Sequence, residues 1–424
     1  MGQASGRCID VNAASQANGA VVELYDCLGN ANQDFAVQPR GDAFQIVARH
    51  SGKCLDVDGF STADGAGVHQ WECHGGDNQR WRLQDVGNGT QQLVSVNSGK
   101  CLDAGGTGNG TGLQQWTCWG GANQRWQVAG GTQAAVIGAY VDGFSAAGAG
   151  GATKEDNLRL LEQYLGVPIG SMRALEYGNN DSWAGFQSGF GWSTGGWYAA
   201  NPARKMQWSV PMTVWGTSLA DVAAGGYDAY FADAARTIAQ HYPAAAIRLG
   251  WEMNGYWMPW AAQGHEQDFI NAFRRIVGIF RGVSGQFTFD WCPNFGVQNV
   301  DPELLYPGDD VVDTIGMDYY EQDWGDPVSR WDYSLNSDAR GLRWHAAFAA
   351  RHGKRMSYPE FGSGKGGDSG YFVTQMASWI ASNNVAYATY WNSNADYPGR
   401  MDQNAYPAIG AAFRAAFDAL ISQQ

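Results

Sequence analysis

The sequence predicts two folds in tandem, an all-β barrel of threefold symmetry over residues 1–130 followed by an α/β (β/α)8 TIM barrel over residues 134–424. Three observations predict this. The first third repeats itself, with copies starting at Cys8, Cys54 and Cys101, a period of 46 and then 47 residues. The remainder alternates short apolar runs with amphipathic stretches, the pattern of strand–helix units around a parallel barrel. Between them the stretch "VAGGTQ", Val128–Gln133, reads as a glycine-containing link where the period changes.

Composition narrows the partners. The net charge of −14 over 424 residues argues against nucleic acid and anionic membranes, which want basic faces. It would also repel acidic substrates at long range, which leaves a neutral one. Nineteen Trp, 19 Tyr and 58 Gly suit a turn-rich chain that displays aromatic platforms. No run approaches the roughly 18 apolar residues of a membrane helix. The opening "MGQASGRCID" has no apolar signal core, so an export signal is expected to have been removed from this chain.

The three copies read "CIDVNAASQANGAVVELYDCLGNANQDF", "CLDVDGFSTADGAGVHQWECHGGDNQRW" and "CLDAGGTGNGTGLQQWTCWGGANQRW". Alternating short runs broken by Gly and Asn read as strands and turns, with no helical period. Two cysteines recur at matching places in each copy. Six cysteines allow many pairings, and the repeat favours Cys8–Cys27, Cys54–Cys73 and Cys101–Cys118, because each unit then carries the same staple. Disulfides imply an oxidising compartment, hence a secreted, extracellular protein. The absence of any Cys-x-x-Cys argues against zinc.

Each copy ends in Asn-Gln-x-aromatic: Asn32-Gln33-Asp34-Phe35, Asn78-Gln79-Arg80-Trp81 and Asn123-Gln124-Arg125-Trp126. This resembles the ricin-B type β-trefoil, carbohydrate-binding module family 13, over about residues 3–130. The resemblance implies one sugar site per lobe, built from an Asp, an aromatic before the second Cys, and the Asn. Those are Asp10, Tyr25 and Asn32; Asp56, Trp71 and Asn78; and Asp103, Trp116 and Asn123. A pyranose has an apolar C–H face and a rim of hydroxyls, so one ring and a few fixed polar atoms suit it. Phe35, Trp81 and Trp126 are assigned to the core. The first lobe departs most, with Phe35 in place of Trp and Leu28 where the second lobe has His74.

In the second part strands are expected near Val136–Gly143, Pro168–Leu175, Gln207–Val214, Ala246–Trp251, Gln286–Trp291, Val311–Met317, Arg355–Pro359 and Val385–Trp391. Helices are expected over Lys154–Tyr164, Tyr227–His241, Glu266–Arg281, Ser337–Arg351, Gly370–Ser382 and Pro407–Leu420. A doubly wound sheet would need a nucleotide fingerprint, and none is present. "GNNDSWAGFQSGFGWSTGGW", Gly178–Trp197, reads as a long loop whose Trp183, Trp192 and Trp197 serve as subsite walls, a lid or a folded-back loop.

Chemistry in such a barrel sits at the C-terminal strand ends. Those ends carry Asp142, Glu176, Trp215, Glu252, Cys292, Asn294, Asp318, Tyr320, Glu360 and Trp391. Cleaving a glycosidic bond needs a carboxylic acid for the leaving oxygen and a carboxylate facing the anomeric carbon. Glu252 and Glu360, ending the fourth and seventh strands, face each other across the mouth. Trp residues beside Glu252 strip it of solvent and raise its pKa toward that of a proton donor.

"RLGWEMNGYWMPW" around Glu252, with "WCPN", "LYPGDDVVDTIGMDYY" and "MSYPEFGSG" in order after it, resembles glycoside hydrolase family 26, retaining β-glycanases that include β-mannanases. The resemblance spans about residues 136–420. It implies Glu252 as acid/base, Glu360 as nucleophile, Tyr320 as a hydroxyl bonded to the nucleophile, and Trp257 and Trp391 as the aromatic floor. One departure is Trp251, where the family has His, so substrate preference does not carry over. Asn254 is expected to bond a substrate hydroxyl or fix its loop. Trp215, Trp251, Glu176 and Asp318 complete the expected substrate-binding set, with Arg173 and Arg248 as natural partners of the last two. Cys292 reads as a buried structural thiol.

The seven His are scattered and form no metal motif, so no metal and no cofactor are expected. Asp309, Asp310 and Asp313 read as a solvated acidic turn rather than a calcium loop. The expected protein is a monomeric endo-β-glycanase cutting β-mannan, with the trefoil for targeting. The alternatives left open are β-glucan, β-1,3-xylan or a bacterial exopolysaccharide as substrate, an α-linked glycoside, or a lectin with a catalytically silent barrel.

Overall fold

The computed structural model describes the chain except residues 41–42, 87–89, 128–134, 143–152, 337–339, 364, 366, 396, 404 and 422–424. The Val128–Gln133 link and the Gly143 end of the first expected barrel strand lie outside the described residues. Two compact units form. One is Met1–Gln133 with Ser382–Asn384, and the other is Ala134–Ala381 with Val385–Gln424.

The first unit is all-β. The same antiparallel hairpin occurs in each copy: Cys8–Val11 with Ala20–Tyr25, Lys53–Val57 with Val68–Trp71, and Cys101–Ala104 with Thr111–Trp116. Register is conserved between copies, since Cys8, Cys54 and Cys101 stand opposite Tyr25, Trp71 and Trp116. Each copy then makes a short 3-10 turn at Ala31–Gln33, Asp77–Gln79 or Ala122–Gln124. Val11, Val22, Leu24, Leu55, Val57, Leu102 and Leu113 form the core with Trp81 and Trp126. The two indoles donate to the Leu55 and Leu102 carbonyls at 3.2 and 3.0 Å, which satisfies their one polar atom where water cannot reach. Phe35 packs against this core from a half-buried position.

The three within-copy disulfides are present, closing separations of 19, 19 and 17 residues. Loops of that length correspond to about 3 kcal/mol per bridge through lost unfolded-state entropy. A unit this small buries little core, so the staples matter.

The second unit is a closed barrel of parallel strands: Val136–Val141, Arg173–Tyr177, Met206–Val210, Ala246–Leu249, Thr288–Trp291, Thr314–Gly316, Arg355–Gly362 and Val385–Asn392, here the first to eighth. The first pairs with both the second and the eighth, and the sixth with both the fifth and the seventh, so no edge is left open. The short Tyr319–Tyr320 extends the sixth along the seventh. Almost every strand residue is buried, as both-face burial between barrel interior and helices demands.

Three expectations are corrected. Gly178–Trp197 is no long loop: Trp183–Ala200 is an α-helix, capped by the Ser182 hydroxyl on the Gly185 amide. Its glycines argued for turns, but Phe186, Phe190 and Trp197 share a buried face, and tertiary packing overrides propensity. The second strand starts at Arg173, because Pro168–Ser171 closes a turn instead. The Ser337–Arg351 helix starts at Leu342 and follows a separate helix, Pro327–Asn336.

Candidate active site

Past the fourth strand the chain turns sharply. Gly250 has φ +55°, and a Cβ there would meet Met212 Sδ at 2.2 Å, so only glycine fits. Glu252 itself has φ +52°, which costs a non-glycine residue about 1–2 kcal/mol. Two backbone bonds hold it there, from its N–H to the Cys292 carbonyl (2.8 Å) and from the Gly255 N–H to its carbonyl (3.0 Å). Among the described non-glycine residues with positive φ, Glu252 is the one acid.

The Trp257 indole folds back over Gly255, where any Cβ would lie 2.4 Å from the ring, and donates to Glu252 Oε2. The Asn294 amide donates to Oε1 at 2.5 Å. The Glu252 carboxyl is partly accessible at the mouth but enclosed by protein. Burial first, and the Glu360 charge second, push its pKa up to about 7, against the opposing pull of the Trp257 and Asn294 bonds. Asn294, which bonds Glu252, also bridges to Asp318, and Asp318 shares Arg248 with Glu360, so one chain of contacts joins the two carboxyls.

Glu360, on the seventh strand, is gripped by three donors. Tyr320 Oη donates to Oε2 at 2.6 Å, and Arg248 Nη2 and the Tyr177 hydroxyl both reach Oε1. Arg248 is fully buried; its Nη1 bonds both Asp318 oxygens, at 2.8 and 2.6 Å, and its Nε bonds Ser209. One guanidinium therefore bridges two carboxylates, a geometry lysine could not supply. Burial lifts the Asp318 pKa well up, although Arg248 opposes the shift.

Aromatics close the wall. Trp391 stacks on Tyr140 at 4.2 Å and meets Tyr177 and Tyr320 edge-on. Trp251 is 4% exposed, wedged against Trp260 and Tyr177 with Arg248 over its ring. It packs behind the site and supports Tyr177 and Arg248.

The structure thus brings Glu252, Glu360, Tyr320, Trp257, Trp391 and Asp318 together. The other expected residues divide between expectations met and expectations corrected. Of its two expected roles Asn254 takes the second: it is fully buried, its amide donates to the Asn294 and Gly296 carbonyls and it accepts from the Asn294 N–H, so it fixes the loop that carries Asn294. Trp215 stands 60% exposed, and no contact among the described residues ties it to the glutamates. Glu176 pairs with Lys154, not Arg173, whose guanidinium lies over the Tyr387 ring instead. Trp183 stacks on Tyr227, Trp197 is buried and bonds Glu176, and Trp192 points to solvent. Asp310 and Asp313 are ion-paired with Arg274 and Arg281, and Asp309 lies 2.7 Å from His352 Nδ1. Cys292 is buried, with Sγ 3.2 Å from Asp318. Tyr177, Ser209 and the role of Asn294 were missed. Tyr177 lies one residue beyond Glu176 at a strand end, which is the signal that marks it.

In the trefoil, Asp10 accepts from Asn32 and Gln33, and Asp56 from Asn78 and Gln79, every bond at 2.8 or 2.9 Å. Asp103 accepts from Asn123 and Gln124 on one oxygen and Gln114 on the other. Tyr25, Trp71 and Trp116 are 38, 40 and 42% exposed, unusual for rings of that size beside a fixed polar cluster. Each lobe therefore presents a bare aromatic face and pre-set polar atoms. Among the described residues no metal-binding group of His, Cys, Asp or Glu occurs, and no helix is long and apolar enough to cross a membrane.

Residues 1–126 match the ricin-type beta-trefoil lectin domain, and residues 215–392 match glycosyl hydrolase family 26. A mannan endo-1,4-beta-mannosidase of Bifidobacterium adolescentis is 28% identical over 157 residues, a stretch that is 33% of this chain and 15% of that protein. Among solved structures, a designed threefold symmetric protein is 43% identical over 30% of this chain and 93% of its own (TM-score 0.30). An exo-beta-1,3-galactanase from Clostridium thermocellum is 33% identical over 30% of this chain and 28% of its own (TM-score 0.30). The catalytic domain of a Bacillus family 26 endo-beta-1,4-mannanase is 16% identical over 68% of this chain and 87% of its own (TM-score 0.49). The chain therefore joins a ricin-type β-trefoil lectin domain, at residues 1–126, to a glycosyl hydrolase family 26 domain, matched at residues 215–392, that carries both glutamates.

Proposed function

We infer that this is a secreted endo-β-glycanase that hydrolyses a neutral β-linked polysaccharide with retention of configuration, β-mannan first. The observation that carries this is the unlike setting of two carboxyls in one mouth. Glu252 holds its proton up to about pH 7, while Arg248 and two phenols complement a negative Glu360. In the first step Glu360 attacks the anomeric carbon and Glu252 protonates the leaving oxygen. In the second, Glu252, now ionised, takes a proton from a water whose oxygen bonds the anomeric carbon and displaces the Glu360 carboxylate. The trefoil sites keep the chain near its polymer and raise effective concentration without touching the reacting bond. The disulfides fit an extracellular location. All residues of the cluster come from one chain, so a monomer suffices.

The test is a panel of mannans, mixed-linkage glucans, β-1,3-xylans and bacterial gums scored for new reducing ends, with the first-formed anomer followed by NMR. Retention and mid-chain cleavage of mannan are expected; the inverted anomer overturns the role of Glu360. The second reading, a lectin with a silent barrel, draws on Trp251 standing where the resembled family has His. Sugar binding without any hydrolysis selects it.

A further inference from the structure

A cavity of about 370 Å³ opens beside the glutamates, lined by Tyr140, Lys154, Glu176, Tyr177, Gly178 and Trp391. Tyr177 bonds Glu360, and Trp391 packs edge-on to Tyr320, so the cavity shares two of its wall residues with the site. Its volume is at the small end of ligand pockets, suited to one sugar unit.

Its polar feature is an ion pair that the proposed mechanism does not use. Lys154 Nζ lies 2.5 Å from Glu176 Oε1, with side chains 22% and 4% exposed. Removing such charges from water costs several kcal/mol in broad terms, so the pair needs a reason to exist. Lys154 also sits in the first turn of its helix, Lys154–Leu165, the end whose dipole repels a cation. Glu176 is rigid: Oε2 accepts the Trp197 indole at 3.0 Å, and Oε1 also accepts the Tyr177 amide at 3.0 Å. Among the described residues the ammonium gives one N–H to Glu176, and its nitrogen lies 5.3 Å from the centre of the Tyr140 ring.

We propose that Lys154 and Glu176 form a hydroxyl clamp for a neutral pyranose unit, bound next to Glu360 on the glycone side of the cleaved bond. The pair offers donors and acceptors side by side with no net charge, which suits vicinal hydroxyls and not a uronate. The stacked Tyr140 and Trp391 supply the apolar wall. The direction follows from the strands. Glu252 takes its bonds from Trp257 and Asn294, beyond the fourth and fifth strands, and it protonates the leaving side. The cavity belongs to the eighth, first and second strands, in the opposite half of the mouth.

The proposal rests on the glycosidase reading, and the experiment separates the two. Two neutral series, β-1,4-mannooligosaccharides and mixed-linkage β-glucooligosaccharides of increasing length, are cleaved by the full chain and by Lys154→Met, with cleaved bonds mapped from products. The gain in kcat/KM on adding the unit that enters the cavity is expected to shrink about tenfold in the variant, as for loss of a charged hydrogen bond. An unchanged gain overturns the clamp, and so does an equal loss at every length, which assigns the pair to holding Tyr177. The same sugars are titrated calorimetrically into Glu252→Gln with and without Lys154→Met, the trefoil being identical in both. A binding event lost with Lys154 while the wild type hydrolyses nothing keeps the clamp and rejects the glycosidase reading. No Lys154-dependent event in either series rejects the clamp.

Discussion

The two units handle buried carboxyls differently. In the trefoil Asp10 finds its amide partners 22 and 23 residues away, inside its own repeat. In the barrel the Tyr177–Glu360 bond spans 183 residues and the Arg248–Glu360 bond 112. A site closed within one repeat can be copied three times and demands little of the fold around it. A site assembled from strand ends around the whole barrel needs a large prior core, and the barrel has one, from Ile137 through Phe417. That core can offset the desolvation of Arg248, Asp318 and Glu360. The trefoil core is small and has disulfides in place of bulk. On the proposed function, the difference teaches that sugar binding needs only local pre-set polarity, whereas acid–base chemistry needs charges crowded together at long range.

The sharpest break in that comparison is chemical. Glu252→Gln is expected to lower kcat by about 10²–10⁴-fold, the usual worth of a positioned proton donor. Glu360→Ala should be at least as severe. Neither should change retention of the chain on immobilised polysaccharide, because no trefoil sugar residue is touched. Loss of retention in either variant would mean that the barrel does the binding.

The pH profile tests the same carboxyl. Its folded pKa of about 7 lies above its ordinary 4.5, so the protonated form persists to neutral pH. The free-enzyme kcat/KM should fall as pH rises through about 7, roughly tenfold per unit where the acid limits the rate. The same raised value means that folding stability from this group is fully present below pH 4.5 and fades as pH climbs through about 7. An alkaline limb unmoved near 7 in the Gln variant would assign it to another group.

Removing one staple separates the units by stability. Cys54→Ala with Cys73→Ala should cost the trefoil about 3 kcal/mol. It should leave hydrolysis of a short soluble substrate intact. Thermal unfolding followed by calorimetry, alongside activity, checks both. A barrel that loses activity in step with the trefoil would show that the two fold as one.

What could be read from sequence follows the same division. The lobes were legible because each carries its Cys, Asp, ring and Asn-Gln in fixed order. The glutamates were legible because strand ends and the motif around Glu252 mark them. Tyr177 was marked only by its place at a strand end beside Glu176, and its bond to Glu360, five strands on, leaves no trace in the local pattern. Asn254 reads two ways from sequence, as a substrate ligand or as a loop fixer, and its local loop bonds select the second. The helix at Trp183–Ala200 was hidden by glycines whose propensity is outweighed by the buried Phe186 and Phe190.

The smallest effects lie within the trefoil and ask whether its copies are equal. The residue opposite the sugar-site aspartate differs in each lobe: Glu23 faces Asp10, His69 faces Asp56 and Gln114 faces Asp103. The second lobe adds a Phe60–His74 stack, the third an exposed Trp119, and the first only Leu28. A carboxylate beside a carboxylate is the least inviting setting, and an indole outranks a phenol as a platform. Replacing one ring by Ala should cost about 0.5–1.5 kcal/mol of sugar binding, a few-fold in affinity. Trp71→Ala and Trp116→Ala are expected to fall at the upper end and Tyr25→Ala at the lower. Titration of each single variant with a neutral oligosaccharide reads the order directly. Three equal losses would show that the repeat, and not its variations, sets affinity.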